Sequence, residues 1–322
     1  MVDNIVDNKG GLHNRLTHCI HLHPFSLKEV EEYMREKDFV WTRHDVLQVY
    51  MAFGGVPYYL NLLLPSESVA QNISRLCFNA MEEGLTNEYQ RLYESLFRSP
   101  EPYMKIVGLL AASREGMTRT EIAEKMGIKS GKNLTVLLRN LVNCDFIRLY
   151  KVHTRKRLVT SGIYQLTDFF SIFYHSFMKK NVTDPMYWTS LLGTHAFSTW
   201  QGLSFERVCM AHIPEIKKKL KIEGIYTEYY SWRSTSEEKA QVDLVLERAD
   251  RIVNVCEIKY SADYYNMSKA EYEKFQRRIS LFRSSTNCKF GVMPTLVTTQ
   301  LAAKGKYNSA IPVVITLDDL FE

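Results

Sequence analysis

Cysteine is sparse in this sequence and never clustered. The six cysteines, Cys19, Cys77, Cys144, Cys209, Cys256 and Cys288, are spaced so widely that no C-x-x-C pair exists, which excludes zinc-ribbon and dithiol-redox patterns. Most sit among apolar neighbours, where a free thiol behaves as a small core residue, and a reducing, cytoplasmic setting is expected. Long hydrophobic runs are missing too. None approaches the ~18 residues of a membrane span, so no membrane partner is expected. The stretch from Met1 to Lys9 lacks the basic start and apolar segment of a secretory signal. No strong charge imbalance exists either: a formal net charge of +5 permits a nucleic-acid partner without requiring one, so local distribution decides. What is present is ordinary globular composition. At 45% hydrophobic and 24% charged, the chain has enough apolar side chain for sizeable cores, and its length of 322 residues predicts two or three domains.

The most informative stretch runs from Ala240 to Ser261. Two apolar, β-branched runs, Val242 to Leu246 and Ile252 to Ile258, flank a polar Glu247 to Arg251 and predict a β-hairpin. Asp243 stands near the start of the first strand, and Glu257 and Lys259 stand at the end of the second. Two residues apart on a strand, Glu257 and Lys259 share a face, and a hairpin of this length brings Asp243 beside them. Two carboxylates and an ammonium at one end of a sheet suit a divalent metal and the water it activates. Against this stands the plainer reading of solvated strand-end charges.

An Asp followed across a hairpin by Glu-x-Lys resembles the restriction-endonuclease-like, PD-(D/E)XK nuclease superfamily. The resemblance implies that Asp243 and Glu257 hold Mg²⁺ and that Lys259 steadies charge on phosphate. It further implies a carboxylate from the first helix of the fold, for which Glu206 is the candidate. Gln241 is a further residue expected to hydrogen-bond near the site. The Pro that usually precedes the Asp is Val242 here.

Upstream, Ser26 with Glu29 forms a capping box for a helix to about Lys37, and Thr42 to Met51, Tyr58 to Leu64, Val69 to Phe78 and Glu88 to Phe97 continue a helical unit. His18 to His23 alternates as a short strand. His21 and His23 would share its face, but no nearby Cys or carboxylate completes a zinc set. Gly10 to Thr17, Ile20 to Glu29 and Gly54 to Leu60 look like the tail and helical lid of AAA+-like ATPases of the STAND branch, in which a GxP element such as Gly55-Val-Pro57 contacts nucleotide. No G-x-x-x-x-G-K-[ST] P-loop occurs in this chain. The resemblance therefore implies the C-terminal portion of such an ATPase, a truncated product or an expressed fragment. ATP enters only if the missing upstream core is present, and no ATPase activity is expected from this chain alone.

Tyr103 to about Tyr174 reads as a winged helix-turn-helix. Thr118 with Glu121 caps its second helix, Gly127 makes the turn, and Ser130 to Cys144 is the third helix, with Leu134, Leu137, Leu138 and Leu141 facing inward. That helix would offer Lys132, Asn133, Thr135, Arg139 and Asn140 to DNA, and the wing tip carries Arg155, Lys156 and Arg157 for phosphate. Winged helices also serve as protein-docking modules, so the partner could equally be a protein. The aromatic Asp168 to Met178 is expected to pack between domains. A Trp-rich helix over 186–212 follows, then the basic Ile216 to Lys221. After the hairpin come a helix from Ser268 to Phe282 with Lys274, Arg277 and Arg278, and buried strands at Phe290 to Leu296 and Ile311 to Thr316.

The expected fold class is therefore multi-domain α plus α/β: residues 1–100 as ATPase tail and helical lid, 101–180 as winged helix, and 181–322 as a restriction-endonuclease-like α/β core. The expected function is DNA processing, with hydrolysis of DNA phosphodiesters using Mg²⁺. The alternative is a non-catalytic DNA-binding regulatory or scaffolding protein with a degenerate nuclease fold. Expected partners are DNA and either a partner protein or the missing ATPase domain.

Overall fold

The computed structural model describes residues 18, 20–79, 84–113, 115–150, 153–154, 157–158, 162–180, 182, 184, 186–234, 240–301 and 305–322. Its first part is helical: α1 (Leu27–Glu36), α2 (Arg43–Phe53), α3 (Pro57–Leu60), α4 (Val69–Phe78) and α5 (Glu88–Leu96). Side-chain caps set where three of these begin. Ser26 with Glu29, Thr42 with Asp45, and Ser68 with Gln71 each satisfy two backbone N–H groups that a helix start leaves without partners. The expected helix over Tyr58 to Leu64 is only the short α3, because Pro57 fixes its first turn and the chain leaves the helix at Asn61.

Helix α6 (Glu101–Ala111) leads into β1 (Met117–Thr118), α7 (Arg119–Met126), α8 (Lys132–Asn143) and β2 (Ile147–Tyr150). A small hairpin, β3 (His153–Thr154) with β4 (Arg157–Leu158), precedes β5 (Ile163–Leu166). Strand β5 pairs antiparallel with both β1 and β2. The capping box of Thr118 and Glu121 is formed, and Gly127 adopts φ +70° at the end of α7, a conformation that costs glycine nothing.

The aromatic segment forms α9 (Phe169–Phe173) and a π-helical turn, Tyr174–Met178. Phe173 lies in ring contact with Phe53, Phe78, Trp188 and Trp200, so this helix is core, as its helical spacing predicts. In the turn, His175 is mostly buried and its Nε2 lies 2.9 Å from the Tyr89 hydroxyl. Burial, helped by Lys179, pushes its pKa down from 6.5 to about 4. As pH falls through that window only the unfolded chain takes up the proton, so stability is full above about 6.5 and falls towards 4. His175→Gln is expected to flatten that acid-side decline in melting temperature; an unchanged slope would mean that other groups cause it.

The helix expected over 186–212 is two helices, α10 (Tyr187–Leu191) and α11 (His195–Ala211). The break is local: Gly193 takes φ +77° and Thr194 caps the new helix. After α12 (Ile213–Lys219) come β6 (Thr227–Arg233), β7 (Gln241–Arg248), β8 (Ile252–Lys259), α13 (Lys269–Thr286), β9 (Gly291–Thr298) and β10 (Val313–Thr316). They form a five-stranded mixed sheet in the order β10-β9-β8-β7-β6, antiparallel from β6 to β8 and parallel from β8 to β10.

Two apolar clusters sandwich this sheet. On one face Leu244, Leu246, Cys256 and Ile258 join Phe205, Val208 and Cys209 of α11, within a core that continues through the helical parts as far as Leu27. On the other, Val242, Val245, Val253 and Val255 pack with Phe275, Ile279 and Phe282 of α13. The chain is thus an α plus α/β protein. Strand β6 is not evident in the sequence, since Thr227 to Arg233 lacks a clear alternation of apolar residues. The expected strand at 18–23 has no ladder among its described residues; Ile20 and Leu22 are exposed there. No helix, among the described residues, is long and apolar enough to cross a membrane.

Candidate functional site

The β7–β8 hairpin is in register from Glu247↔Val253 to Leu244↔Cys256, and Arg251 turns the chain with φ +68°. Along β8 the side chains alternate between the two cores, Val253 and Val255 to one, Cys256 and Ile258 to the other. Glu257 and Lys259 therefore face α13. Lys259 Nζ lies 3.0 Å from one oxygen of Glu257, and the Arg278 guanidinium of α13 bonds the other. The Glu257 carboxylate is only 8% exposed, which puts it in the class of buried charges that need a partner. Arg278 is a participant that the local sequence pattern does not single out. Its spacing from Phe275, Ile279 and Phe282 places it on the inward face of α13.

Asp243 takes the opposite direction. The pairing of β6 with β7 slips between Tyr230↔Val245 and Trp232↔Val242, so Asp243 and Leu244 together oppose Ser231, whose hydroxyl donates to the Asp243 carbonyl at 2.8 Å. This β-bulge re-aims the strand. Asp243 and Gln241 then line a small cavity of about 30 Å³ with Glu206, Arg207, Arg148 and Arg233, between α11 and the β2–β5 sheet. The buried Cys209 thiol on this side is pushed well up, first by burial and then by Cys256, Glu206 and Asp243. The structure thus brings Asp243 together with Glu206, and Glu257 together with Lys259, on different faces. Among the described residues, Asp243, Glu206 and Glu257 do not form a group with all ligand atoms within 4.8 Å of one another. The arrangement does not fit a shared Mg²⁺ site: one carboxylate is closed by two cations, and the others line a cavity edged by arginines.

That cavity is electrostatically unusual. Arg148 is half-buried, and desolvation brings its guanidinium down to about 10. It donates through Nε to the Gln165 side-chain oxygen at 3.0 Å, while Arg207 donates to the Leu166 carbonyl and Arg233 pairs with Glu115.

On α8, Leu134, Leu138 and Leu141 are buried. Lys132, Asn133, Thr135 and Arg139 are exposed, as expected for a docking face. Asn140 instead turns inward, donating to the Tyr103 hydroxyl at 2.9 Å. The start of α8 is braced by Arg119, which donates to Ser130 Oγ at 2.9 Å and to the Gly131 carbonyl at 2.8 Å. Of the residues expected at a wing tip, Arg155 and Lys156 lie outside the described residues. Arg157 belongs to β4, opposite Thr154, and its side chain is likewise outside what is described.

The segment Gly54 to Pro57 has a packing role that the sequence did not show. The Phe25 N–H donates to the Gly55 carbonyl at 2.8 Å, and a Cβ on Gly55 would stand 1.9 Å from the Phe25 carbonyl oxygen.

Compared with known proteins, the chain matches no family model. It is 24% identical over 296 residues to the uncharacterized protein MJECL04 of Methanocaldococcus jannaschii, an alignment covering 85% of this chain. The chain spans 64% of that relative's length. The crystal structure of a protein of unknown function, AF1548, is similar at a TM-score of 0.24 and 17% identity, over 33% of this chain and 55% of that one.

Proposed function

We propose that this chain is a DNA-docking protein, in which a winged helix presents α8 to the duplex and a restriction-endonuclease-like sheet serves as a non-catalytic module beside it. The observation that carries the reading is the exposed polar and basic face of α8, with Lys132, Asn133, Thr135 and Arg139 on a helix whose other side is packed. The order helix, strand, helix, helix, strand, hairpin, strand supports the winged helix, and the crossover from β8 through α13 to a parallel β9 supports the nuclease-like core. Phosphate contacts of Lys132 and Arg139 give salt-dependent affinity, and Asn133 and Thr135 offer hydrogen bonds to base edges.

The non-catalytic reading rests on Glu257, whose two oxygens are held by Lys259 and Arg278. Hydrolysis of DNA with Mg²⁺ is the second reading. One observation favours it: Glu257 follows Cys256, the partner of Leu244, and Lys259 closes β8 on the same face as Glu257. Incubating plasmid, linear, single-stranded and branched DNA with Mg²⁺ or Mn²⁺ separates the two. Intact DNA throughout is the expected result, and cleavage that Glu257→Gln abolishes would establish the second reading instead. We read helices α1–α5 as the lid of an AAA+-like ATPase, with the P-loop core as partner and ATP handled there.

A further inference from the structure

The geometry points to a divalent-cation site of the zinc class formed by His21, His23 and Asp145. His21 Nε2 lies 3.2 Å and His23 Nδ1 lies 2.9 Å from the same carboxylate oxygen of Asp145, and the ligand atoms of all three residues fall within 4.8 Å of one another. The two imidazoles sit with centroids 4.3 Å apart, tilted by 32°. Donors about 2.0–2.2 Å from one zinc ion, at octahedral to tetrahedral angles, stand about 2.8–3.6 Å apart. The two separations to Asp145, 3.2 and 2.9 Å, fall within that range. Two imidazoles and one carboxylate select zinc or a similar transition metal over magnesium, which prefers oxygen donors throughout. Three protein ligands leave a place for water, and the site can be reached: the side chains of His21, His23 and Asp145 are 53%, 64% and 35% exposed.

A second observation concerns how this segment is held. Ile20 and Leu22 are 82% and 85% exposed, so apolar burial does not fasten the chain here. Its described attachments include the two imidazoles on Asp145 and, at its end, Phe25, which bonds Gly55 and packs against Tyr33 and the core. Asp145, by contrast, is presented rigidly. It adopts φ +58°, its N–H donates to the Val142 carbonyl at 3.1 Å, and the Thr167 hydroxyl donates to its carbonyl at 2.9 Å. A bound ion would replace the two imidazole protons now directed at the carboxylate and staple the segment before α1 to the turn after α8. Asp145 lies 122 residues from His23, which is why the sequence offered the two histidines without their third ligand.

The test is Zn²⁺ titration by calorimetry on the whole chain, beside His21→Gln, His23→Gln, Asp145→Asn and Cys144→Ser. Asn tolerates the left-handed backbone at position 145, so that variant keeps the turn. Melting in EDTA confirms that each variant folds as the unsubstituted chain does. Changing an outer-sphere partner of a metal costs about 10–100-fold in affinity, so losing a ligand is expected to cost at least about 100-fold in each of the three. Cys144→Ser, whose thiol is outside the clustered atoms, should bind like the unsubstituted chain. The visible absorption of Co²⁺ in this site should vanish with the same three substitutions. Failure of the unsubstituted chain to bind micromolar Zn²⁺ would overturn the assignment. So would equal affinity in the three variants, or loss of binding in Cys144→Ser.

Discussion

Glu257→Gln is expected to destabilise the folded chain by about 2–4 kcal/mol at neutral pH without added metal. The carboxylate is nearly buried, with Lys259 3.0 Å away on one oxygen and Arg278 on the other. Removing its charge leaves two cations facing each other at the edge of an apolar layer. Breaking one partner of a buried pair costs about 3–5 kcal/mol, and the lower figure here allows for Lys259 being 32% and Arg278 20% exposed. The sign is what makes the experiment informative. In a metal site without its metal, clustered carboxylates repel, and neutralising one of them stabilises the fold. A urea midpoint that falls in Glu257→Gln supports the closed ion pair. A midpoint that rises would mean that Glu257 faces other carboxylates, as the hydrolytic reading requires. Arg278→Ala should produce a comparable loss, and the double variant less than the sum of the two, because the pair is one interaction.

Gly55→Ala should cost more than about 3 kcal/mol, well above an ordinary surface substitution. The added methyl would lie 1.9 Å from the Phe25 carbonyl oxygen and 2.6 Å from the Phe25 backbone nitrogen. These are backbone atoms, so no rotamer change relieves the clash. Phe25 directly precedes Ser26, the cap of α1, and Leu27 donates its N–H to buried His212 Nε2 at 2.9 Å. Displacing Phe25 therefore strains the cap, the His212 bond and the burial of Leu27, Val30 and Met34 together. Gly202→Ala is the contrast. It lies inside α11 with open space where a Cβ would go, and alanine there should add about 0.5–1 kcal/mol. Thermal melts of both variants, free of nucleotide, decide the matter. A Gly55→Ala chain as stable as the parent would remove the packing role and leave Gly55 to some ligand contact.

The sequence exposed what is local. Capping boxes at Ser26 and Thr118 and the two hairpin strands could be read directly, because each depends on residues within a few positions. What it hid depends on register. Asp243 and Glu257 look like neighbours when the hairpin is drawn as a regular ladder. One extra residue opposite Ser231 is enough to turn Asp243 toward α11, since side chains alternate faces with period two. Strand β6, which imposes that slip, carried too weak an alternation to be seen. Long-range partners were hidden for a different reason: Arg278 closing Glu257 and Asp145 meeting two histidines both depend on how separate elements dock. Gly193 shows the same limit on a smaller scale, since its left-handed turn splits one apparent helix into two.

Docking of DNA through α8 can be measured by fluorescence anisotropy of a labelled duplex across a salt series, comparing the parent chain with the Lys132→Ala, Arg139→Ala double variant. Both side chains lie on the exposed face of a helix whose core contacts come from Leu134, Leu138 and Leu141, so the variant should fold normally. Each phosphate contact contributes about 0.9 to the slope of log affinity against log salt. The parent chain is expected to bind, and the variant to bind more weakly on every sequence, with a slope smaller by about 2. Identical affinity and slope in the two proteins, or no binding by the parent even at low salt, would contradict docking through α8.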